Sequence, residues 1–129
     1  MSVRTVTESI ESDADPDAAL GVLADAGRIP EWASGFAESA ERSGPTSWKM
    51  SKGGALFAME VVVGREVRTV DYLREIAPGR KAGAYIRVLP RPGGGSVIVM
   101  TLPVPQDRTA QDVTAVLRKE LKSLVKLVF

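Results

Sequence analysis

The last segment of the chain, Thr109–Phe129, carries the clearest helical pattern in the sequence. At 100° per residue, its main apolar side chains fall within an arc of about 80°. Arg118 and the lysines lie outside this arc and toward the C-terminal end, where the helix dipole favours cations. The pattern therefore predicts a long amphipathic helix that covers an apolar surface. The apolar arc consists of Val113, Leu117, Leu121, Leu124 and Val128.

Turns rich in Gly and Pro divide the middle of the chain into short segments with β-type alternation. The connections between these segments are short, which favours antiparallel neighbours over crossovers. With a first segment rich in β-branched residues, the pattern predicts a seven-stranded curved antiparallel sheet. The predicted strands are Val3–Ser12, Phe36–Arg42, Ser47–Lys52, Ala55–Val63, Val67–Ile76, Lys81–Leu89 and Ser96–Leu102.

Two short helices are predicted between the first two strands, and each begins at a proline. Asp15 caps the first helix, Pro16–Asp25, and Gly27 ends it. The second begins at Ile29-Pro30 and ends at Ser34 or Gly35. A basic amphipathic helix can also lie on a membrane surface, but a sheet with so little other cover needs the final helix more. The expected fold class is α+β.

Strand alternation indicates which side chains meet beneath the final helix. The alternate residues that share a face with Phe57 and Met59 are all apolar, whereas the opposite face of that strand contains Glu60. In Val67–Ile76 the parity of Tyr72 is preferred, because Asp71 would be costly to bury. A solid core is one interpretation; methionines and a 5% aromatic content favour a partly hollow interior. The expected ligand-binding residues are Trp32, Phe57, Met59, Tyr72, Ile86, Met100, Leu117, Leu121 and Leu124.

Glu120 breaks the polarity of the final helix. On the helical wheel it projects between Leu127 and Val113, within the covering face. A carboxyl buried there must be paired or have a raised pKa. The alternative is that Glu120 lies at the edge of the arc, reaches solvent and pairs with a cation. Glu120 is the leading candidate for a catalytic residue, with Tyr72 as its candidate partner. Asp71 and Tyr85 are weaker candidates, because a half-exposed strand normally displays such residues outward.

The chain contains no cysteine and no histidine, which excludes disulfides, cysteine-ligated zinc and Ser–His–Asp or Cys–His catalysis. We expect no metal site and no cofactor. A net charge of +1 with scattered basic residues argues against nucleic acid as a partner. No apolar run is long enough to span a membrane, and the N-terminus lacks the apolar core of a secretory signal. We therefore expect a cytoplasmic protein without an integral membrane segment.

Several segments of the chain form a familiar combination: the opening Ser9–Ala19 and Val22–Asp25, the corner Arg28–Ala33, the Arg87–Pro103 hairpin with its Pro- and Gly-rich turn, and the Leu-rich final helix. Together they resemble the helix-grip fold of the START and Bet v 1-like (SRPBCC) superfamily. Leu20 stands where many members of the superfamily have Trp. The hairpin and the final helix are similar to those of small bacterial members of the polyketide cyclase/dehydrase-like group. The resemblance covers nearly all of residues 1–129, which implies a single domain.

The resemblance implies a pocket between the curved sheet and the last helix. Relatives hold lipids, sterols, polyketides or quinones there, some catalyse aromatisation or dehydration, and others bind proteins. Our leading hypothesis is the binding of a small hydrophobic molecule. One alternative is a cyclase or dehydratase that uses Glu120. Another is a protein-interaction module or homodimer, because Ser96–Leu102 is apolar on both faces.

Overall fold

The computed structural model describes residues 4–128, so Val3 and Phe129, which were predicted to lie in the first strand and the last helix, fall outside the described residues. The described residues form seven strands, three α-helices and one short 3-10 turn. In chain order these are β1 (Thr5–Ser12), α1 (Pro16–Ala24), the 3-10 turn (Ala26–Arg28), α2 (Ile29–Trp32), β2 (Ser39–Arg42), β3 (Ser47–Lys52), β4 (Ala55–Gly64), β5 (Thr69–Ala77), β6 (Arg80–Pro90), β7 (Ser96–Pro103) and α3 (Ala110–Leu127).

The strands form one antiparallel sheet in the order β1-β7-β6-β5-β4-β3-β2. The two short helices carry the chain from β1 at one edge to β2 at the other. The remaining strands then return as a meander of hairpins, so that β7 pairs with β1. This confirms the predicted curved seven-stranded sheet with two short helices and a long C-terminal helix, which is the helix-grip architecture.

The second strand begins later than the sequence pattern predicted. Phe36 and Ala37 lie in a turn after α2, where their backbone N–H groups donate to the carbonyl of Ala33 at 2.9 and 3.1 Å. Both N–H groups are thereby used in a helical type of turn and are not available to a strand. The prediction that a strand starts at Phe36 was wrong, and β2 starts at Ser39.

The fifth strand also begins later, at Thr69 rather than at Val67. Arg68 has a φ of +52°, in the left-handed region that non-glycine residues rarely adopt, and this turns the chain before the strand starts. Two contacts hold Arg68 there: its Nε donates to Asp17 at 2.8 Å, and its carbonyl accepts from the N–H of Val88 at 2.9 Å. Val67 is consequently in the turn and 59% exposed.

Helix α3 covers the concave side of the sheet and packs against β1 and α2. Thr109 caps its first turn by accepting a hydrogen bond from the N–H of Asp112 at 3.0 Å. Most of the inward strand residues predicted from alternation are buried beneath the helices, among them Met59, Val70, Ile86 and Met100. In residues 4–128, no helix is long and apolar enough to cross a membrane. The apolar arc of α3 is buried as predicted, at Val113, Leu117, Leu121 and Leu124.

Candidate functional site

A cavity of about 480 Å³ lies between the concave side of the sheet and helices α2 and α3. Its deep wall is made of buried, mostly apolar side chains. Its rim is formed where β5 and β7 end and where the chain turns into α3, and the rim side chains are exposed. The deep wall comprises Ile29, Trp32, Ala33, Met59, Tyr72, Met100 and Val113, and the exposed rim comprises Arg74, Glu75, Ile76, Pro103, Pro105 and Arg108.

Small residues at the start of β6 leave the space open. Ala82, Gly83 and Ala84 line the cavity, and Ala84 lies opposite Tyr72 in the sheet. A Cβ at Gly83 would overlap the backbone carbonyl oxygen of Tyr72, so this position needs glycine for β5 and β6 to approach as they do. Larger side chains in this stretch would occupy the cavity.

The structure brings together half of the residues that the sequence predicted for the site. Trp32, Met59, Tyr72 and Met100 lie on the cavity wall, and so does Glu120. They come from α2, β4, β5, β7 and α3, so the cavity is built from most of the fold.

The other predicted ligand-binding residues do not line the cavity. Ile86, Leu117, Leu121 and Leu124 are buried in the packed core beside it. The leucines of α3 belong to the buried hydrophobic core, and the side chains that α3 presents to the cavity are Val113 and Glu120. Phe57 lies near the rim, where its ring packs edge-on against Phe36 with the centroids 5.5 Å apart.

The sequence analysis did not predict that small residues form the floor of the cavity or that charged residues lie on its rim. The run Ala82-Gly83-Ala84 was a usable signal, because three small residues in a strand leave room above the sheet. Arg74 and Arg108 gave no such signal, since they are far apart in sequence and look like ordinary surface cations. Ile76 was expected to point inward, but it sits at a β-bulge between Glu75 and Ala77 and is 58% exposed on the rim.

Glu120 is half-buried on the cavity wall, and none of the residues in 4–128 forms a hydrogen bond or salt bridge with its carboxylate. Burial among apolar side chains disfavours the charged form and raises the pKa of Glu120 to about 7, although the positive charge of Arg108 acts in the opposite direction. The carboxyl is therefore a polar group inside an apolar cavity that can be neutral or ionised near neutral pH.

The hydroxyl group and the ring of Tyr72 both contact other residues of the fold. Its buried hydroxyl donates a hydrogen bond to the backbone carbonyl of Leu23 in α1. Burial, together with the negative charge of Asp25, raises the pKa of the Tyr72 phenol above its usual value. Its ring lies against the Trp32 indole, with the centroids 6.3 Å apart. Tyr72 thus offers a ligand its ring surface, and its O–H proton is already donated.

The outer face of the sheet carries Asp71 of β5 and Tyr85 of β6. Asp71 and Tyr85 are paired there across β5 and β6, away from the cavity, and partial burial raises the pKa of Asp71. Val97 and Val99 of β7 are half-buried on the same face. A homodimer through this face stays a prediction.

Solved structures share this fold at low sequence identity. A protein from Bacillus thuringiensis is 16% identical with a TM-score of 0.73, and the match covers 96% of this chain and 98% of that one. The ZhuI aromatase/cyclase from Streptomyces sp. R1128 is 15% identical with a TM-score of 0.67, covering 97% and 93% of the two chains. A START superfamily protein from Mycobacterium smegmatis is 13% identical with a TM-score of 0.65, covering 96% and 93%. At these identities the likeness shows the fold alone.

No curated protein sequence matches the chain. The model of one family, described as polyketide cyclase/dehydrase and lipid transport, matches residues 3–128. This match spans every strand and helix described above, including the residues that line the cavity. The chain therefore belongs to the polyketide cyclase/dehydrase and lipid transport family.

Proposed function

We propose that the chain binds a small hydrophobic molecule in the cavity under α3. The observation that carries the proposal is a cavity of about 480 Å³ whose deep wall is mostly apolar and whose floor is kept open by Ala82, Gly83 and Ala84. Cavities of roughly 300–1,000 Å³ with a few polar groups are typical of small-molecule sites. Membership of a family that includes lipid transport supports the same proposal.

Burial of apolar surface in the cavity can give a ligand measurable affinity. A ligand that removes roughly 250 Å² of apolar surface from water gains about 6 kcal/mol, from which the cost of immobilisation is subtracted. Glu120 adds one polar contact: as a neutral acid it donates a hydrogen bond to a ligand oxygen, and as a carboxylate it accepts one. An apolar molecule with at least one oxygen therefore fits the wall better than a pure hydrocarbon.

The proposal is tested by filling the cavity. Ala84→Leu adds three carbons on the cavity floor, and the neutral fluorescent probe N-phenyl-1-naphthylamine reports binding. We expect saturable binding to the wild-type chain and at least a tenfold loss of affinity in the variant. The matched control is Ala58→Leu, which places the same side chain at an exposed position on strand β4.

Equal affinity in wild type and Ala84→Leu would contradict the proposal, because the probe would then bind elsewhere. Loss of binding in Ala58→Leu as well would show a general effect of the substitution, which also contradicts it. Both variants are compared by thermal unfolding, so that a loss of binding is measured on folded protein.

Cyclase or dehydratase activity is the second candidate function, and the observation that favours it is the pKa of about 7 for Glu120 inside the cavity. A carboxyl with that pKa can exchange a proton with a substrate near neutral pH. Tyr72 does not support this chemistry, because its hydroxyl proton is donated to Leu23. The test is turnover of a poly-β-ketone thioester: we expect a rate that depends on a group titrating near pH 7 and is lost in Glu120→Gln. An unchanged rate in that variant would contradict the enzymatic role.

A further inference from the structure

The rim of the cavity carries two arginines from separate parts of the fold. Arg74 lies near the end of β5, and Arg108 lies in the connection between β7 and α3. Both line the cavity and both are exposed. The two guanidinium groups therefore sit at the opening through which a ligand would enter.

Neither arginine forms a salt bridge with another residue in the described part of the chain. Four other arginines do: Arg28, Arg68, Arg91 and Arg118 pair with carboxylates of neighbouring elements. Arg74 is instead held by an aromatic ring, since its guanidinium carbon lies 4.2 Å from the centroid of Phe57. Stacking on a ring face orients a guanidinium but leaves its in-plane N–H donors free.

Arg108 is also positioned by its own segment. Its backbone N–H donates to the carbonyl of Pro105 at 3.1 Å, which forms a turn immediately before the cap of α3. Its charge is close enough to Glu120 to influence that carboxyl inside the cavity. The positive charge of Arg108 at the rim therefore acts on the carboxyl of Glu120 on the cavity wall.

We propose that the ligand is amphipathic, with an apolar body beneath α3 and a terminal carboxylate held at the rim by Arg74 and Arg108. The proposal rests on the function proposed above and narrows the class of ligand. Guanidinium groups match the planar geometry of a carboxylate and can each donate two hydrogen bonds to it. Glu75 also lies on the rim and opposes an anion, but the three charged rim side chains together carry one net positive charge.

The test compares two probes that differ only at one end. Decanoic acid and 1-decanol each displace N-phenyl-1-naphthylamine at pH 6, where the fatty acid is ionised. We expect decanoate to bind the wild-type chain roughly fivefold more tightly than decanol, as for one to two partly exposed charge contacts. The double variant Arg74→Gln/Arg108→Gln should bind the two probes with equal affinity.

A matched double variant controls for net charge. Arg65→Gln/Arg87→Gln removes the same charge at exposed positions that do not line this cavity. We expect it to keep the preference for decanoate. Decanol binding in every variant shows that the cavity is still folded, and the single variant Arg108→Gln gives a second measurement that leaves the stacked Arg74 in place.

The outcomes separate this inference from the proposed function. Saturable binding of both probes with equal affinity to the wild-type chain would overturn the carboxylate site but not the apolar cavity. A preference for decanoate that survives in Arg74→Gln/Arg108→Gln, or that disappears equally in the control, would also overturn it. If neither probe binds, the proposed function fails and this inference fails with it.

Discussion

The hydroxyl of Tyr72 on β5 donates a hydrogen bond to the backbone carbonyl of Leu23 near the end of α1. The last carbonyls of a helix have no partner within the helix, and this one is satisfied by a side chain from the sheet. The contact fixes α1 on the sheet and at the same time commits the only tyrosine on the cavity wall to a structural role. For this reason Glu120, and not Tyr72, is the group to which the proposed proton exchange with a ligand is assigned.

Removing the Tyr72 hydroxyl should destabilise the fold. Tyr72→Phe keeps the ring against Trp32 but leaves the buried carbonyl of Leu23 without its donor, and we expect a loss of about 1–2 kcal/mol in the free energy of unfolding. Urea denaturation measures it. Tyr85→Phe is the control, because Tyr85 is 45% exposed on the outer face of the sheet. Equal stabilities of the two variants would show that the Tyr72 hydrogen bond contributes nothing.

Glu120 should make stability depend on pH. Its pKa is raised in the folded chain from 4.5 to about 7, so the folded state binds more protons than the unfolded state between these values. Stability is therefore greatest below pH 4.5 for this group and falls as the pH rises toward 7, where the buried carboxyl becomes charged. Glu120→Gln stays neutral, and we expect it to be about 2 kcal/mol more stable than wild type at pH 8 and nearly equal at pH 4.

Urea denaturation at the two pH values measures this effect. The control is Glu41→Gln, which neutralises an exposed carboxylate on β2 and should show no such difference between pH 4 and pH 8. If Glu120→Gln has the same stability relative to wild type at both pH values, the carboxyl is not titrating in a desolvated site.

Alanine substitutions at two glycines should change the free energy of unfolding in opposite directions. Gly83→Ala places a Cβ on the Tyr72 carbonyl, so β5 and β6 must separate beside the cavity, and we expect a loss of about 2 kcal/mol or more. Gly21→Ala adds a Cβ to α1 where no atom lies within 4 Å, and we expect a gain of about 0.5–1 kcal/mol. Thermal unfolding of both variants tests this, and a neutral Gly83→Ala would contradict the close approach of the two strands.

Much of the fold follows from local patterns in the sequence. The apolar arc of α3 is buried as its periodicity predicts, and the turns rich in Gly and Pro separate the strands of the meander. The errors arise where tertiary contacts override local preference. Arg68 adopts a left-handed conformation because Asp17 and Val88 hold it, and the residues before β2 follow α2 in a turn instead of joining the sheet.

The cavity was harder to predict because its wall depends on how α3 is rotated over the sheet. Strand alternation correctly predicted that Met59, Tyr72 and Met100 point inward. Alternation does not distinguish a side chain that is packed in the core from one that faces an empty cavity. Leu121 and Leu124 lie on the predicted face of α3 and still fill the core rather than line the cavity. Arg74 and Arg108 meet at one rim because the sheet brings the ends of β5 and β7 together. No local pattern in the sequence indicates this.

The methionines provide the most direct test of the central proposal. Met59 and Met100 line the cavity, whereas Met50 is fully buried in the core away from its wall. The ¹³C-methyl resonances of methionine can be followed while the chain is titrated with N-phenyl-1-naphthylamine. We expect saturable shifts of Met59 and Met100 and little change at Met50. Unchanged resonances at Met59 and Met100, or an equal shift at Met50, would contradict binding in the cavity.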